Sequence, residues 1–480
     1  MIKKAQIVWL RRDLRLDDNR ALFEANAKAS KTGTKVILVF IFDSEILSKL
    51  PSKQDRRVSF IWQSLMELKE QLGKNGSDVL ILSGNPIEIW PKICENLDVE
   101  GVYCNEDYDS YSIKRDNRVK EILAKQDISL ESFKDHVIFR GNEVLKKDGT
   151  PYKVFTPYKN AWLKQISDRE TQKYNLKSSD FLLESSAFSK LKSKLSFSID
   201  ALAKTGFQLV DTPLEGGESN ANRQFENFRR KIESYHNARD LFNIKGTSNL
   251  SPYLRFGCIS TRSVVRAVMR LDPSEGSSTW LSEIIWRDFY NMILFCFPHV
   301  EKKAFKEKYD HIKWPGNKKA LETWKLGETG FPVIDAAMRE LSKSGMMHNR
   351  LRMIVASFLT KDLLVNWQKG ERHFAELLLD YDLASNNGGW QWAASTGCDA
   401  QPYFRIFNPY SQSKKFDPNG EYIKLHIPEL RNFPSKYIHE PHLAPLEVQE
   451  HAKCQIGTDY PIPIVDHKIQ RELALKLFKT

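Results

Sequence analysis

The pattern of apolar residues changes part-way along the chain, and this change constrains the fold more than any other feature. Up to about residue 138, short runs rich in Val, Ile, Leu and Phe alternate with amphipathic stretches such as Arg57–Leu72. Such runs are typical of strands buried on both faces of a parallel sheet, with helices as the crossovers. The candidate strands are Gln6–Leu10, Val36–Phe42, Val79–Leu82 and Gly101–Cys104. This part of the chain is therefore predicted to be a doubly wound parallel α/β domain.

Beyond Asp211 the strand patterns disappear and helical patterns dominate. The candidate helices are Ala221–Arg239, Ser260–Leu271, Thr279–Phe295, Pro332–Ser344, Asn349–Trp367 and Arg372–Leu379. The predicted fold class is α/β plus all-α, an N-terminal doubly wound parallel α/β domain followed by a C-terminal all-helical domain. We predict domains at residues 1–138 and 213–480, joined by a long linker at residues 139–212. Within it, the Ser- and Lys-rich part Ser178–Ser198 is expected to be a surface connector.

Composition narrows the classes of function. The six cysteines are scattered without a CxxC pair, so we expect neither disulfides nor a metal site. No apolar run reaches membrane-spanning length, and the charged N-terminus does not resemble a signal peptide, which predicts a cytoplasmic protein. The formal net charge of +11 suggests a polyanionic partner, with nucleic acid first. A solvated basic surface that binds nothing specific is the alternative.

The stretch Tyr381–Gly397 combines groups that an ordinary core segment does not need. Asp380 and Asp382 lie at its start, an Asn-Asn-Gly-Gly sequence follows, and Trp390 and Trp392 flank one glutamine. We interpret the Gly-Gly pair as a turn that permits close approach to a ligand. The stretch is then one wall of a pocket for a planar cofactor with polar edges. A buried turn with packed aromatic residues is the alternative.

A second group of polar and aromatic residues is spaced by three and four positions, which predicts one face of a helix. It comprises Trp280, Glu283, Trp286, Arg287 and Tyr290. Rings that stack on bases, an arginine for a phosphate and a carboxylate for a base edge would make a nucleic-acid-binding surface. An ion pair between Glu283 and Arg287 beside packed aromatic residues is the alternative.

Other segments narrow the chemistry. HNRLRM places Asn349 and Met353 on one helical face, while Arg350 and Arg352 point elsewhere, towards phosphates in our interpretation. The segment GTSNLSPYLRFG near Thr247 is either an anion site or a capping turn. The first strand is followed by RRDLRLDDN instead of GxGxxG, and no GxxxxGK[ST], HExxH or GxSxG occurs. Rossmann-type, P-loop, zinc-protease and esterase chemistry are therefore not predicted.

Taken together, the motifs resemble the photolyase/cryptochrome family, and within it the class I cyclobutane pyrimidine dimer photolyases of bacteria. The resemblance runs from end to end. It rests on IVWLRRDLRLDDN, YKVFTPYKNAW, WLSEIIWRDFY, the long segment TGFPVIDAAMRELSKSGMMHNRLRMIVASFLTKDLL, DLASNNGGWQWAASTGCDAQPYFRIFNP and YPIPIVDHK. It implies an α/β antenna domain and a helical domain that binds FAD and DNA.

The resemblance also implies individual roles. The FAD contacts would be Tyr235, Thr247, Ser248, Asn249, Leu250, Ser251, Trp280, Arg352, Asp380, Asp382 and Asn386. Asn386 would lie beside N5 of the flavin. A chain of tryptophans that reduces the flavin in light would run from Trp390 through Trp367 to Trp314. The lesion pocket would contain Glu283, Trp286, Asn349, Met353 and Trp392, with Arg239, Arg287 and Arg350 on DNA phosphates.

The implied activity is light-dependent repair of cyclobutane pyrimidine dimers in DNA by a monomeric carbon–carbon lyase. An electron from photoexcited FADH⁻ would split a dimer that has been flipped out of the duplex. Photolyases for (6-4) lesions carry two histidines at the positions of Asn349 and Met353, and plant cryptochromes an Asp at that of Asn386. A cryptochrome-type blue-light photoreceptor without repair is the first alternative. A basic nucleic-acid-binding protein without catalysis is the second.

Three departures from the family pattern stand out. Asn249 replaces an Arg of some relatives, and Met346 stands where a Trp is common. The Asn-Glu pair of folate-binding relatives aligns near Tyr111 and Ser112, so a methenyl-folate antenna is not supported. A deazaflavin, a second flavin and an empty antenna pocket remain as alternatives.

Overall fold

A computed structural model describes residues 4–176, 182–194 and 201–479 of the chain. The chain divides into two compact units, each described here by itself. The first comprises Met1–Tyr152, Pro157–Ile232 and Ser248–Cys296, and the second Lys153–Thr156, Glu233–Thr247 and Phe297–Thr480. The domain boundaries that the sequence predicts at residues 138 and 212 rest on the change from α/β to helical patterns, and they stay a prediction.

The first unit contains a five-stranded parallel sheet of order β3-β2-β1-β4-β5. Its strands are β1 Ala5–Leu10, β2 Lys35–Asp43, β3 Val79–Gly84, β4 Val99–Asn105 and β5 Ser129–Phe133. All four predicted strands are present, because their continuous apolar runs are buried between two layers of helices. The fifth strand was missed: SLESF is an edge strand with only Leu130 buried, so it lacks the apolar run.

The α-helices lie in chain order between and after these strands. Their bounds are α1 Arg20–Thr32, α2 Ser44–Leu47, α3 Arg56–Lys74, α4 Pro86–Asn96, α5 Ser110–Ala124, α6 Phe155–Gln165, α7 Ser185–Lys194, α8 Ala201–Thr205, α9 Glu218–Arg229, α10 Tyr235–Ala238, α11 Ser251–Phe256, α12 Thr261–Met269, α13 Glu275–Cys296, α14 Lys318–Leu326, α15 Pro332–Ser344, α16 Asn349–Ser357, α17 Trp367–Leu377, α18 Leu383–Ala393, α19 Pro409–Phe416, α20 Glu421–His426, α21 Leu446–Ala452 and α22 His467–Leu477. Short 3₁₀ turns and one π-helical turn, Phe358–Asp362, connect some of them. The predicted fold class of a parallel α/β part followed by a helical part is therefore confirmed.

The predicted connector Ser178–Ser198 lies partly outside the described residues, and its described part differs from the prediction. Residues 185–194 form α7, whose Phe188 and Leu191 are buried in the apolar core of the sheet. These two apolar side chains, three positions apart, share one helical face, which outweighs the polar composition around them. The described part of the segment is therefore a packed helix and not a surface connector.

The helical pattern predicted as one helix over Asn349–Trp367 is interrupted. Helix α16 ends at Ser357 and is followed directly by the π-helical turn Phe358–Asp362. Helix α17 begins only at Trp367. Leu364 adopts a left-handed backbone conformation with φ of 52°, which stops the helical path. The side chain of Asn366 then accepts a hydrogen bond from the backbone N–H of Gln368 and starts α17.

Candidate active site

Helix α18 replaces the turn that the Asn-Asn-Gly-Gly sequence predicted. It runs from Leu383 to Ala393 and so includes both Gly388 and Gly389. The Asp382 side chain caps it by accepting a hydrogen bond from the backbone N–H of Ser385. Each interior glycine costs a helix only about 0.5–1 kcal/mol, which capping and packing of the buried side chains outweigh. The prediction of a Gly-Gly turn was wrong.

The helix distributes the predicted site residues by its own periodicity. Asn386 and Trp390 are four residues apart and therefore share a face of α18. Trp392, two residues after Trp390, points to another side, where its ring centroid lies 6.4 Å from that of Phe407. A helix thus presents functional side chains in two directions without any special glycine geometry.

Asp380 lies three residues before this helix and is buried, and it has a half-buried arginine as its ion-pair partner. Its Oδ2 accepts a hydrogen bond of 2.8 Å from Nη2 of Arg352, whose Nε donates to the Met347 carbonyl at 2.9 Å. Within the described part of the chain, no group donates to the buried Oδ1 of Asp380. A buried acceptor without a partner costs about 1–3 kcal/mol, so this oxygen is placed to receive an N–H or O–H of a ligand.

Trp390 is surrounded by aromatic rings in the core of the second unit. Its ring centroid is 5.0 Å from that of Phe374 and 6.0 Å from that of Trp324, both in edge-to-face contact. Trp367 is buried in the same apolar core, and Trp314 is half-buried against it. Trp324 was not predicted as a site residue, because it lies in no recognisable motif and its contact with Trp390 arises only from packing.

Helix α16 carries the predicted lesion residues Asn349, which is exposed, and Met353, which is half-buried. His348 caps this helix through Nδ1, and burial lowers the pKa of its imidazole to about 4. The Arg350 guanidinium makes a two-pronged ion pair with Asp240, with bonds of 3.1 and 2.7 Å. Arg350 is thus held in a defined direction by a carboxylate, in place of pointing freely towards a phosphate.

The remaining predicted residues of the second unit lie in the segment Glu233–Thr247, which also contains Asp240. The Arg239 guanidinium lies over the Tyr235 ring, 5.3 Å from its centroid, and its Nε is 3.9 Å from Oδ1 of Asp240. Thr247 is half-buried at the end of this segment. One carboxylate therefore organises both Arg239 and Arg350 in this unit.

In the first unit, the predicted face of Trp280, Glu283, Trp286, Arg287 and Tyr290 lies on α13, as the spacing indicated. Trp280 is buried, and its ring packs against those of two phenylalanines of α9. The Trp286 ring lies 5.4 Å from the Tyr290 ring, centroid to centroid.

Arg287 is engaged with a buried histidine of the same unit. Its Nη1 donates to the His136 carbonyl at 2.6 Å, and its Nη2 lies 2.7 Å from the imidazole. Burial and the neighbouring guanidinium groups of Arg12 and Arg287 hold the pKa of His136 well below its usual range. A neutral imidazole can accept the hydrogen bond from Nη2 of Arg287 without adding a further positive charge.

The run Ser248–Ser251 precedes the six-residue helix α11. Asn249 adopts a left-handed conformation with φ of 51°, a conformation that Asn tolerates better than most residues and Arg does not favour. The Ser248 carbonyl accepts a hydrogen bond of 2.8 Å from Nε2 of Gln224. The segment is therefore a specific bend, and Asn249 suits the backbone where relatives in our prediction carry Arg.

No group of three or more His, Cys, Asp or Glu side chains with metal-ligand geometry occurs within residues 4–176, 182–194 and 201–479. In the same ranges, no helix is long and apolar enough to cross a membrane. All six cysteines are free thiols.

Comparison with known proteins shows the family of the chain. The sequence matches the family model described as DNA photolyase over residues 6–175, and that described as FAD binding domain of DNA photolyase over residues 280–480. The deoxyribodipyrimidine photo-lyase of Alkalihalophilus pseudofirmus is 42% identical, over 98% of this chain and 97% of that protein. The chain belongs to the DNA photolyase family. Its expected family membership is thereby confirmed.

Solved structures of photolyase relatives agree with this membership. A bacterial class III photolyase from Agrobacterium tumefaciens superposes with a TM-score of 0.85 at 34% identity, covering 100% of this chain and 98% of that one. The cryptochrome of Synechocystis sp. PCC6803 superposes with the same TM-score at 25% identity, covering 99% of both chains. The narrower resemblance to class I photolyases stays a prediction.

Residues 280–480 are thus the FAD-binding domain of this photolyase, and their side chains fit the cofactor. FAD carries N–H and hydroxyl donors on its ring and ribityl chain, and the buried Oδ1 of Asp380 is an acceptor that needs one. The cation of Arg352 is held beside it by the ion pair with Oδ2. FAD as cofactor is therefore confirmed, whereas the contacts of single residues stay predictions.

Proposed function

We propose that this chain is a light-driven DNA repair enzyme, a deoxyribodipyrimidine photo-lyase that splits cyclobutane pyrimidine dimers. The observation that carries the proposal is the ion pair of the buried Asp380 with Arg352, which leaves one carboxylate oxygen for a ligand, inside a domain that matches the FAD binding domain of DNA photolyase. The full-length similarity to a protein named deoxyribodipyrimidine photo-lyase supports the same activity. When bound and reduced, FAD supplies under light the electron that opens the dimer.

The residues proposed to hold the cofactor do so by complementary hydrogen bonding and charge. They are Tyr235, Thr247, Ser248, Asn249, Leu250, Ser251, Trp280, Arg352, Asp380, Asp382 and Asn386. Asp380 would accept from a donor group of the ring, since its Oδ1 lacks any other donor in the described chain. Arg352 keeps that carboxylate aligned by its charge-assisted hydrogen bond.

Trp390, Trp367 and Trp314 are proposed as the path by which electrons enter the buried site from the surface. The burial of the first two and the half-buried position of the third support this order. Indoles are the most readily oxidised apolar side chains that a core can hold. Packing against the same apolar core keeps water away from the two inner rings.

DNA binding is proposed to use two groups of side chains, one that contacts the lesion and one that contacts the phosphates. Glu283, Trp286, Asn349, Met353 and Trp392 are proposed to contact the lesion. Arg239, Arg287 and Arg350 would contact phosphates, helped by the net charge of +11. Flipping the lesion out of the duplex costs less than flipping a normal base, because a damaged step is already poorly stacked.

We further propose that the protein acts as a cytoplasmic monomer with an α/β antenna domain at residues 1–138 and a catalytic domain at residues 213–480. The six free thiols support a reducing compartment. The antenna is proposed to be a deazaflavin or a second flavin, or absent. Chromatography of the chromophores released by denaturation distinguishes these three outcomes.

The activity is tested with an oligonucleotide that carries one thymine dimer. Purified protein with chemically reduced flavin should restore normal thymines under near-UV or blue light and leave the dimer intact in the dark. An oligonucleotide with a (6-4) photoproduct is the matched substrate control. Repair of the (6-4) lesion with the dimer untouched would contradict the proposal.

The similarity to the Synechocystis cryptochrome makes a photoreceptor without repair the second candidate. Both candidates absorb blue light, so a flavin spectrum does not separate them. Light-dependent reduction of the flavin without loss of either lesion would favour the photoreceptor. The Glu283→Ala variant adds a specific check, because it should lower the yield of dimer repair while FAD stays bound.

A further inference from the structure

Asn386 is held from one side by a single neighbouring residue, Glu371 of α17. Nδ2 of Asn386 lies 2.8 Å from Oε1 of Glu371 and 3.1 Å from the Glu371 main-chain carbonyl oxygen. Both of these oxygens are hydrogen-bond acceptors. The Asn386 amide can therefore face them only with its NH₂ group, and its orientation follows from the chemistry of the contacts.

The consequence is that Oδ1 of Asn386 is turned away from Glu371. Among the residues that the structure describes, no group donates a hydrogen bond to this oxygen. Asn386 is half-buried, so Oδ1 remains available to a ligand as an acceptor. Without Glu371 the amide could rotate by half a turn and present a donor instead.

Gly370, the residue before Glu371, lies against the same face of α18. A Cβ atom built on Gly370 would lie 2.1 Å from Cη2 of Trp390, so only glycine lets the indole lie against α17. Two consecutive residues of α17 thus contact two side chains that are one turn apart on α18. Burial raises the pKa of Glu371, a sign that the carboxyl group is withdrawn from water.

We propose that Glu371 is a positioning residue that fixes the Asn386 amide with its oxygen towards the flavin and thereby favours the reduced cofactor. A reduced flavin carries a hydrogen at N5, which an acceptor oxygen stabilises, whereas oxidised N5 would prefer a donor. This inference rests on the proposed placement of Asn386 beside the flavin ring. Glu371 itself was not predicted from the sequence as a site residue.

The test compares two substitutions that remove the same charge. Glu371→Ala removes both the charge and the side-chain acceptor, whereas Glu371→Gln keeps an acceptor oxygen for Asn386. The measurement is the midpoint potential of protein-bound FAD. Relative to Glu371→Gln, which has lost the same charge, we expect Glu371→Ala to lose preference for the reduced flavin by roughly tenfold, the size of one hydrogen bond. For a two-electron couple this is about 30 mV towards negative potential.

Glu371→Gln should have a midpoint potential equal to or above that of the wild type, because the amide stays fixed and a negative charge is lost. If the potentials of both variants rise together, the carboxylate acts through its charge alone and the proposal is wrong. It is also wrong if neither variant moves. Glu376→Ala, which removes a more exposed carboxylate of the same helix, is the matched control and should leave the potential unchanged.

Asn386→Ala separates this inference from the proposed placement on which it depends. If Asn386→Ala shifts the potential but Glu371→Ala does not, the placement stands and the positioning role fails. If neither shifts, Asn386 does not face N5 and both fail, although dimer repair, measured separately, can still be intact. Bound FAD per protein and the thermal midpoint show that each variant is folded.

Discussion

At the scale of single residues, the indole of Trp390 depends on a missing side chain. Gly370 leaves space for it, and a Cβ there would meet Cη2 of Trp390 at 2.1 Å and a Leu359 methyl at 2.5 Å. Gly370→Ala should therefore destabilise the protein by about 1–3 kcal/mol, the usual cost of overpacking a core. It should also slow photoreduction, because the indole must move. Urea unfolding and the rate of flavin reduction in light measure both effects.

Gly389 is the matched control for this substitution. It lies inside α18, is exposed, and a Cβ built on it meets nothing within 4 Å. Gly389→Ala should stabilise the protein by about 0.5–1 kcal/mol through helix propensity alone. If Gly370→Ala and Gly389→Ala changed the free energy of unfolding in the same direction, close contact at Gly370 would not be what requires glycine.

The proposed electron path makes a separate prediction for Trp390 itself. Trp390→Phe should nearly abolish photoreduction of the flavin, because a phenyl ring is much harder to oxidise. Within the described chain Nε1 of Trp390 has no hydrogen-bond partner, so the substitution loses no bond and should cost only about 1–2 kcal/mol of stability. Dimer repair should persist when the flavin is reduced chemically. Transient absorption and the repair assay measure the two functions, and unchanged photoreduction would exclude Trp390 from the path.

At the scale of elements, the sequence predicted those helices and strands whose own apolar residues define them. The strands β1 to β4 and helix α15 fall in this group, and α15 agrees with the prediction at both ends. The edge strand β5 has one buried residue, and α18 contains two glycines, so neither has a pattern of its own. Both form because neighbouring elements pack on them, which a single sequence does not encode locally.

The sequence also did not predict which side chains of different elements contact each other. Motifs identified Asp380, Asn386 and Trp390 as site residues, but their partners Glu371 and Trp324 follow from how α17 and α14 pack on α18. Neither partner lies in a motif of recognisable spacing. The sequence therefore predicted which residues belong to the site, but not what orients them.

Asp288 of α13 shows how one carboxylate joins several elements. Its Oδ2 accepts hydrogen bonds from the backbone N–H of Ile138 at 3.1 Å and of Phe139 at 3.3 Å, and from Nε1 of Trp162 in α6 at 3.0 Å. Burial raises the pKa of this carboxyl to about 6 in spite of these bonds. The folded protein thus holds a proton here that the unfolded chain releases near pH 4.

The stability linked to Asp288 should therefore be fully present below about pH 4 and be lost as the pH rises through 6. Asp288→Asn cannot ionise, so its free energy of unfolding relative to the wild type should increase over this range. The gain is about 3 kcal/mol at most, from a shift of roughly two pKa units. Denaturant unfolding at several pH values measures it, and parallel curves for the two proteins would show that Asp288 does not titrate on folding.

At the scale of the whole molecule, the net charge of +11 predicts DNA affinity that falls steeply with salt. Total charge alone does not say where DNA binds, so variants of equal charge change are needed. Arg350, proposed to contact a phosphate, is aligned by Asp240 in the second unit. Lys125 is exposed at the end of α5 in the first unit and is the control.

Arg350→Gln should weaken binding to damaged and undamaged duplexes alike and lower the slope of log affinity against log salt by about 1, the value of one phosphate contact. Lys125→Gln removes the same charge and should leave the slope unchanged, because Lys125 makes no phosphate contact in the proposed arrangement. Fluorescence anisotropy over a salt series measures both slopes. Equal decreases for the two variants would mean that the overall charge, and not a positioned arginine, attracts DNA. A loss of preference for the dimer in Arg350→Gln would instead place this side chain on the lesion.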